Sequence, residues 1–173
     1  GCANRGIVSG PHHVGGIVGY TKAYGTIIVE RCANSGIVCA DGNNAGGITA
    51  VAWGVTIRDC LNTADVKSTA NGSYVGGIAG CASCYSANTN TIENCFSSGT
   101  LTGAAATTNA IVGASLSAAA KPSGEHNYYI NGSDTNLADK AAESSYTGFD
   151  FKDTWMWTAD GPVLRGVHVH TWD

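Results

Sequence analysis

The stretch RCANSGIVCADGNNAGGIT, residues 31–49, combines the glycines of a loop with the Ile and Val of a strand. The chain opens on nearly the same pattern, GCANRGIVSGPHHVGGIV at residues 1–18. Self-similarity at a period of about 20 to 50 residues is typical of stacked repeat architectures. The repeat is therefore the feature that a fold prediction must explain first.

Four copies of the pattern align on a Cys-x-Asn element, with Ser replacing Asn in the fourth copy. Each copy holds a cysteine, an aliphatic residue six positions later, and an Ile in a Gly-Gly-Ile block that is degenerate in the fourth copy. The cysteines are Cys2, Cys32, Cys60 and Cys95; the aliphatic residues are Val8, Val38, Val66 and Leu101; the isoleucines are Ile17, Ile48, Ile78 and Ile111. Columns kept in register while the loops vary in length indicate residues that stack on one another.

Apolar residues alternate with a period of two within each copy, which favours strands over helices. One unit of about 30 residues cannot bury a core alone, whereas stacked units can. The sequence thus predicts an all-β, right-handed parallel β-helix-like solenoid of about four turns, with three strands per turn. The Cys, Val/Leu and Ile columns form its inward structural ladder. The Asn column either ladders its amides or occupies left-handed corners, and the glycines allow close backbone approach.

The composition argues against two classes of function, nucleic-acid binding and membrane insertion. Charged residues make up 13% of the chain and the formal net charge is -4, so no basic face for nucleic acid is expected. No apolar run reaches the length of a membrane span, so membrane insertion is not expected either. The first copy lacks the apolar residue that precedes the later cysteines, so we expect further turns or another domain to precede residue 1 in a parent protein.

The pattern ends before an aromatic-rich segment, and we place the solenoid at residues 1–126 and a C-terminal cap at 127–173. The cap holds eight of the fourteen aromatics and is expected to cover the unpaired edge of the last turn. Residues 137–145 are its one candidate helix. Tyr128 and Tyr129 stand where a fifth Cys-x-Asn would fall. The alternative role for the aromatics, Trp155 and Trp157 in particular, is a sugar-stacking platform.

The chemistry-bearing residues fit structural roles best. The Cys2, Cys32, Cys60 and Cys95 column is expected to hold reduced thiols, because parallel Cβ vectors are poorly oriented for disulfides. Cys81 and Cys84, the one C-x-x-C pair, favour a loop disulfide over zinc, which needs further ligands. His168 and His170 could share one face of a strand and hold a metal, but a surface position is the simpler interpretation, as it is for His12 and His13.

The blocks SGPHHVGGIVG and ANGSYVGGIAG, with the flanking C-x-N-x-G-x-V, resemble the GLUG repeat over about residues 1–117. This repeat occurs in bacterial surface proteins, in immunoglobulin A1-specific metallopeptidases and in adhesin-like proteins. The resemblance implies a secreted or cell-wall-attached protein of the bacterial cell surface and brings no catalytic residues. The second and fourth blocks depart from it at Ala50 and at residues 109–113.

No H-E-x-x-H, G-x-S-x-G or S-x-x-K motif is present. The outward residues Glu30, Arg58 and Glu93 alternate in sign between turns, which favours stabilisation of the stack over attack on a glycan. We expect a non-enzymatic structural or adhesion segment without a cofactor, monomeric in isolation, whose partner is a host or bacterial surface ligand with a glycan as one option. The alternatives are a carbohydrate-binding accessory module and the non-catalytic portion of a surface metallopeptidase.

Overall fold

The computed structural model describes residues 1–22, 26–71, 73–83, 89–103, 108–115, 122–130 and 142–167. Within these ranges the chain is all-β apart from one turn of 3-10 helix, and its strands stack in parallel as a solenoid of about four turns. The predicted fold class is confirmed.

Each full turn contributes five short strands. The first turn contains β1 (Ala3–Asn4), β2 (Val8–Gly10), β3 (Val14–Gly15), β4 (Val18–Tyr20) and β5 (Ile27–Glu30). The second contains β6 (Ala33–Asn34), β7 (Val38–Ala40), β8 (Ala45–Gly46), β9 (Thr49–Ala52) and β10 (Val55–Arg58). The third contains β11 (Leu61–Asn62), β12 (Val66–Ser68), β13 (Val75–Gly76), β14 (Ala79–Ala82) and β15 (Thr91–Glu93).

The fourth turn contains β16 (Phe96–Ser97), β17 (Leu101–Thr102), β18 (Thr108–Asn109) and β19 (Val112–Ser115). The remaining elements among the described residues are β20 (Tyr128–Tyr129), a 3-10 turn (Glu143–Ser145), and the antiparallel hairpin of β21 (Trp155–Thr158) and β22 (Gly161–Leu164). Of the candidate helix over residues 137–145, residues 142–145 are described, and they contain only the 3-10 turn.

Equivalent strands of successive turns form five parallel sheets. The strand orders are β1-β6-β11-β16-β20, β2-β7-β12-β17, β3-β8-β13-β18, β4-β9-β14-β19 and β5-β10-β15. Registers join like residues: Asn4 pairs with Asn34, Val38 with Val66, and Ile57 with Ile92. Because β20 pairs with β16, the stack continues past residue 126 into a partial fifth turn.

The prediction of three strands per turn is wrong, because two of the three sequence pieces bend at a corner. The first corner lies just before the cysteine, where Arg31, Asp59 and Asn94 adopt φ of 53°, 50° and 51°. His126 repeats the conformation in the partial fifth turn, with φ of 58°. Asn and Asp tolerate this left-handed region better than most residues. The left-handed corner is thus a separate column from the repeated Asn.

The second corner lies at the Gly-Gly pair, between β8 and β9 in the second turn. A Cβ on Gly46 would collide with the carbonyl of Thr49, and one on Gly47 with the carbonyl of Gly77 and the side chain of Asn62. Only glycine lets the neighbouring turn come this close. Its position next to the Asn column explains why the two motifs recur together.

The interior divides into two apolar clusters. One contains the cysteines of the first corner and inward residues of the β5 column such as Ile57, together with Ile48 and Ile78 of the Gly-Gly corner. The other contains the inward residues of the β2 and β3 columns, including Val38 and Val66. The buried Asn column lies outside both clusters, in the sheet that begins with β1.

The described part of the cap lies along the side of the solenoid. Its buried aromatics Tyr146, Phe149 and Trp155 form a third cluster with the outward residues of the β1 column, which are Ala33, Leu61 and Phe96. Contacts run from the second turn, where Arg31 donates to the carbonyl of Asp153 at 3.4 Å, to Tyr128 in the fifth. The aromatic cluster is where the sequence predicts it, but these residues cover a sheet face and not the edge of the last turn.

Among the described residues, no helix has the length and apolar character that crossing a membrane requires.

Candidate functional site

The four cysteines of the predicted ladder occupy one corner of successive turns. Cys32, Cys60 and Cys95 are 4%, 0% and 0% exposed, whereas Cys2, in the first turn, is exposed. Each buried thiol donates to the carbonyl two residues before it, at 3.3, 3.2 and 3.2 Å respectively. All four cysteines are free. Asn127 occupies the next position, where its side chain accepts from the amide of Cys95 at 3.1 Å.

Ionisation is disfavoured at the two middle thiols of the ladder, Cys32 and Cys60. The hydrogen bond to Cys60 and burial raise the pKa of Cys32. The hydrogen bond with Cys32 lowers the pKa of Cys60, but the bond with Cys95 and burial outweigh it and leave that pKa well above its usual value. Since the thiolate is the nucleophile and the metal ligand, Cys32 and Cys60 serve as small, hydrogen-bonded core residues.

The aliphatic columns are buried most completely in the middle turns. Val38, Val66, Ile48 and Ile78 are each 0% exposed. Their equivalents in the first and fourth turns, Val8, Leu101, Ile17 and Ile111, are half-buried and pack against the same clusters. A turn with a neighbour on each side has more of its surface removed from solvent than a terminal turn has, which accounts for the difference.

The Asn column forms a continuous amide ladder. The Nδ2 of Asn4 donates to the Oδ1 of Asn34 at 2.8 Å, that of Asn34 to Asn62 at 2.8 Å, and that of Asn62 to the hydroxyl of Ser97 at 3.2 Å. Each Nδ2 also donates to the carbonyl two residues later. Tyr129 takes the next position in register after Ser97. Asn34 and Asn62 are buried, and these bonds offset the cost of removing their amides from water.

The charged column on the outer face of β5, β10 and β15 contains one ion pair. Arg58 Nη2 lies 2.6 Å from Glu30 Oε2, and Arg58 pairs in register with Glu93 on its other side. The two side chains of the ion pair are 42% and 43% exposed. An exposed pair of this kind contributes about 1 kcal/mol or less. The geometry stabilises adjacent turns and offers no pair of carboxylates facing a common substrate.

Of the two tryptophans considered above for a sugar platform, Trp155 is buried inside the cap and Trp157 is partly exposed. Trp155 is 0% exposed and stacks on Phe149 with a centroid distance of 4.2 Å. Its indole Nε1 donates to Oδ1 of Asp59 at 3.4 Å. Burial raises the pKa of Asp59, with the Trp155 hydrogen bond opposing that shift. Trp157 is half-buried against Tyr146 and Phe151.

Of the cysteines and histidines considered as ligands, some lie outside the described residues. Cys81 is disulfide-bonded and lies in β14, while Cys84, His168 and His170 are outside the described residues. His12 and His13 lie in the loop between β2 and β3. His12 Nδ1 contacts the Asn43 amide at 3.3 Å, and His13 Nδ1 contacts the Asn44 amide at 3.5 Å.

The outer surface also carries a group of aromatic rings that the repeat pattern of the sequence does not indicate. We call His13, Tyr20 and Trp53, with Lys22 beside them, the aromatic patch. Tyr20 meets His13 edge-on at a centroid distance of 5.7 Å and Trp53 at 6.5 Å. Lys22 Nζ lies 4.8 Å from the centroid of the Trp53 ring.

The backbone of two turns positions this patch. Tyr20 ends β4, where it pairs with Val51 of β9, and the Thr21 hydroxyl accepts from the Trp53 amide at 2.9 Å. His13 has a φ of 49°, and burial together with the charge of His12 lowers its pKa. The Nε1 of Trp53 is buried and makes no hydrogen bond within the described part of the chain.

The patch carries no repeat signal because its aromatics occur in single turns. In the column of Tyr20 the later turns have Val51, Cys81 and Ala114. Only a break in the column, an aromatic where the other turns have a smaller residue, could have marked it.

Comparison of the chain with protein-family descriptions, with curated proteins and with solved structures finds no match in any of the three.

Proposed function

We propose that this chain is a non-catalytic structural or adhesion segment of a larger secreted or cell-wall-attached bacterial protein. The observation that carries the proposal is the amide ladder from Asn4 to Ser97, which ties each turn to the next inside the stack. A repeat unit held to its neighbours by such bonds extends by addition of like units and resists bending.

Three further features support a mechanical role. The thiols of the corner column are buried and hydrogen-bonded, the ion pair of Arg58 and Glu30 bridges two turns, and the cap binds several turns at once. Each of these contacts connects successive turns. Because the contacts between turns are made by the interior and the corners, the outer loops can differ between turns, as the loops at residues 11–13 and 41–44 do.

The resemblance to GLUG repeats supports a location at the bacterial cell surface and a surface ligand as partner. The location can be tested by treating intact cells of the source bacterium with protease. Loss of the parent protein without lysis is the expected result. Protection from protease until the cells are lysed would contradict a surface location.

The non-catalytic assignment has a direct test. The purified chain is incubated with a library of plant, bacterial and host glycans and with a peptide library, and product formation is followed by mass spectrometry. We expect no turnover above that of a heat-denatured sample. Turnover that is abolished by a substitution on the outer face would overturn the assignment.

A further inference from the structure

We propose that the aromatic patch is a sugar-binding site that takes one pyranose ring of a neutral glycan. The inference rests on the proposed adhesion function and names the partner class for one surface of the segment.

The first argument is exposure. Tyr20 is 38% exposed, and the register places Val51, Cys81 and Ala114 at the same position of the other turns. The fold is therefore compatible with a small residue there, and the ring is not needed to fill the stack. Exposed aromatic surface that packing does not require is a mark of an interaction site.

The second argument is that the ring is held in place. Tyr20 lies edge-on to His13 on one side, at an interplanar angle of 62°, and to Trp53 on the other, at 84°. Trp53 is itself held by the hydrogen bond from its backbone amide to the Thr21 hydroxyl and by the cation of Lys22 over its ring. A ring already held in one orientation loses little side-chain entropy when a ligand stacks on it.

The third argument is the polar rim. The Asn43 amide and the His12 ring contact each other at 3.3 Å beside the patch, and both residues are exposed. Amides and imidazoles both donate and accept hydrogen bonds, as sugar hydroxyls do. A pyranose presents an apolar C–H face and a rim of hydroxyls, and an aromatic face bordered by amide and imidazole groups matches both.

Charge favours a neutral sugar over an acidic one. The cation of Lys22 lies over the face of the Trp53 ring, and burial lowers the pKa of His13, which disfavours the charged form of its ring. The Asn43 amide on the rim is uncharged, and the one fixed charge among the residues of the patch, Lys22, already faces the Trp53 ring.

The repeat itself supplies substitutions that the fold accepts. Tyr20→Val introduces the residue that the second turn has at this position, and His13→Asn copies Asn44, the equivalent of His13 in the second turn. Trp53→Ser copies Ser83, which follows β14 as Trp53 follows β9. Ile28→Thr is the matched control, because Ile28 is 51% exposed on a different face and pairs with Thr56.

The test titrates the full chain by calorimetry with the neutral probes cellotetraose, chitotetraose and lactose, and with sialyllactose and a uronic-acid tetrasaccharide as acidic probes. Saturation-transfer NMR maps the sugar-to-ring contacts. We expect at least one probe to bind with its C–H protons close to the Tyr20 ring. Tyr20→Val and Trp53→Ser should each weaken that binding about tenfold or more, while Ile28→Thr leaves it unchanged.

Three results would overturn the inference: no binding of any probe at millimolar concentration, binding that Tyr20→Val does not alter, or tighter binding of a sialylated or uronic-acid probe than of the neutral ones. The NMR contacts are read on the unaltered chain, so the test stands even if a variant misfolds. A negative result here leaves the turnover and protease experiments unaffected, and the proposed function would then stand or fall on those.

Discussion

At the scale of single residues, buried amides and thiols act as structural groups because each has a hydrogen-bond partner. Asn62 accepts from Asn34 and donates to Ala64 and Ser97. The sequence alone predicted stacked Asn and Cys columns, since the residues recur in register. It could not separate the laddered Asn from the left-handed corner at Asp59, because both positions favour short polar side chains.

Replacement of a central rung of the amide ladder should be costly. In Asn62→Ala, an Nδ2 hydrogen of Asn34 and the carbonyl of Ala64 lose their partners inside the stack. We expect the free energy of unfolding to fall by about 2 to 3 kcal/mol, measured by urea denaturation. Asn4→Ala, at the end of the ladder where water has access, is the control and should cost about 1 kcal/mol or less. Equal losses in the two variants would contradict a cooperative buried ladder.

Asp59 should make stability depend on pH. Because burial raises its folded-state pKa, its contribution to the free energy of unfolding is fully present below the unfolded-state pKa. That contribution is lost as the pH rises through the higher folded-state pKa. Asn fits the same left-handed corner, as Asn94 shows, and its Oδ1 can still accept from Trp155.

We therefore expect Asp59→Asn to gain stability relative to the unaltered chain as the pH rises from about 3 to 7. Urea denaturation at a series of pH values measures the difference. Asp59→Ala, which keeps neither the acceptor nor the preference for positive φ, should be destabilised at every pH. A constant difference between Asp59→Asn and the unaltered chain would show that the carboxylate is not desolvated.

At the scale of elements, the corners decide how the repeat folds. The period-two pattern predicts strands correctly, but it does not reveal where a strand bends, so it predicts three segments per turn where the structure has five. The aromatic cluster near the C-terminus is confirmed, but the described cap residues cover a sheet face and not the edge of the last turn that the sequence predicts for them. The cap packs on the β1 column, whose outward residues increase in size from turn to turn. A search for residues that recur unchanged does not detect such an increase.

The Gly-Gly corner gives a sharp test of close turn packing. In Gly47→Ala the new methyl group would collide with the carbonyl of Gly77 and with Asn62 of the next turn, and neither can move without breaking the ladder. We expect a loss of about 3 kcal/mol or more in thermal or urea unfolding. Gly6→Ala is the matched control, since its Cβ has no neighbour closer than 3.9 Å. It should leave stability within about 0.5 kcal/mol of the unaltered chain.

The cap should detach without unfolding the solenoid. Trp155→Ala removes a fully buried ring, its stacking on Phe149 and its bond to Asp59, a loss of about 3 to 5 kcal/mol of cap packing. We expect increased binding of a hydrophobic dye to the uncovered Leu61 and Phe96, with the β signal in far-UV circular dichroism retained. Met156→Ala changes the next residue of the same strand, which is 42% exposed, and should have neither effect. Loss of the β signal in Trp155→Ala would show that cap and solenoid fold as one unit.

At the scale of the whole molecule, stability should vary along the stack. The second and third turns have hydrogen-bonded neighbours on both sides, whereas the first has one described neighbour. We expect amides such as that of Leu61, bonded to Cys32, to exchange with solvent at least about tenfold more slowly than that of Val8, bonded to Ile37. Hydrogen exchange followed by mass spectrometry measures the profile. A uniform profile would indicate all-or-none opening of the chain.

The outward residues under the cap grow from one turn to the next: Ala33, then Leu61, then Phe96, then Tyr128. If every turn had the same outward residue, the cap could pack at any position along the stack. Because these residues increase in size, the cap packs well at one position only. Sliding the cap by one turn toward Tyr128 would press it onto larger side chains, and sliding it toward Ala33 would leave it over smaller ones that it could not pack against. Packing of the cap therefore depends on the number of turns beneath it. Inserting or deleting a turn in this region would disrupt that packing even if every strand of the new stack paired correctly.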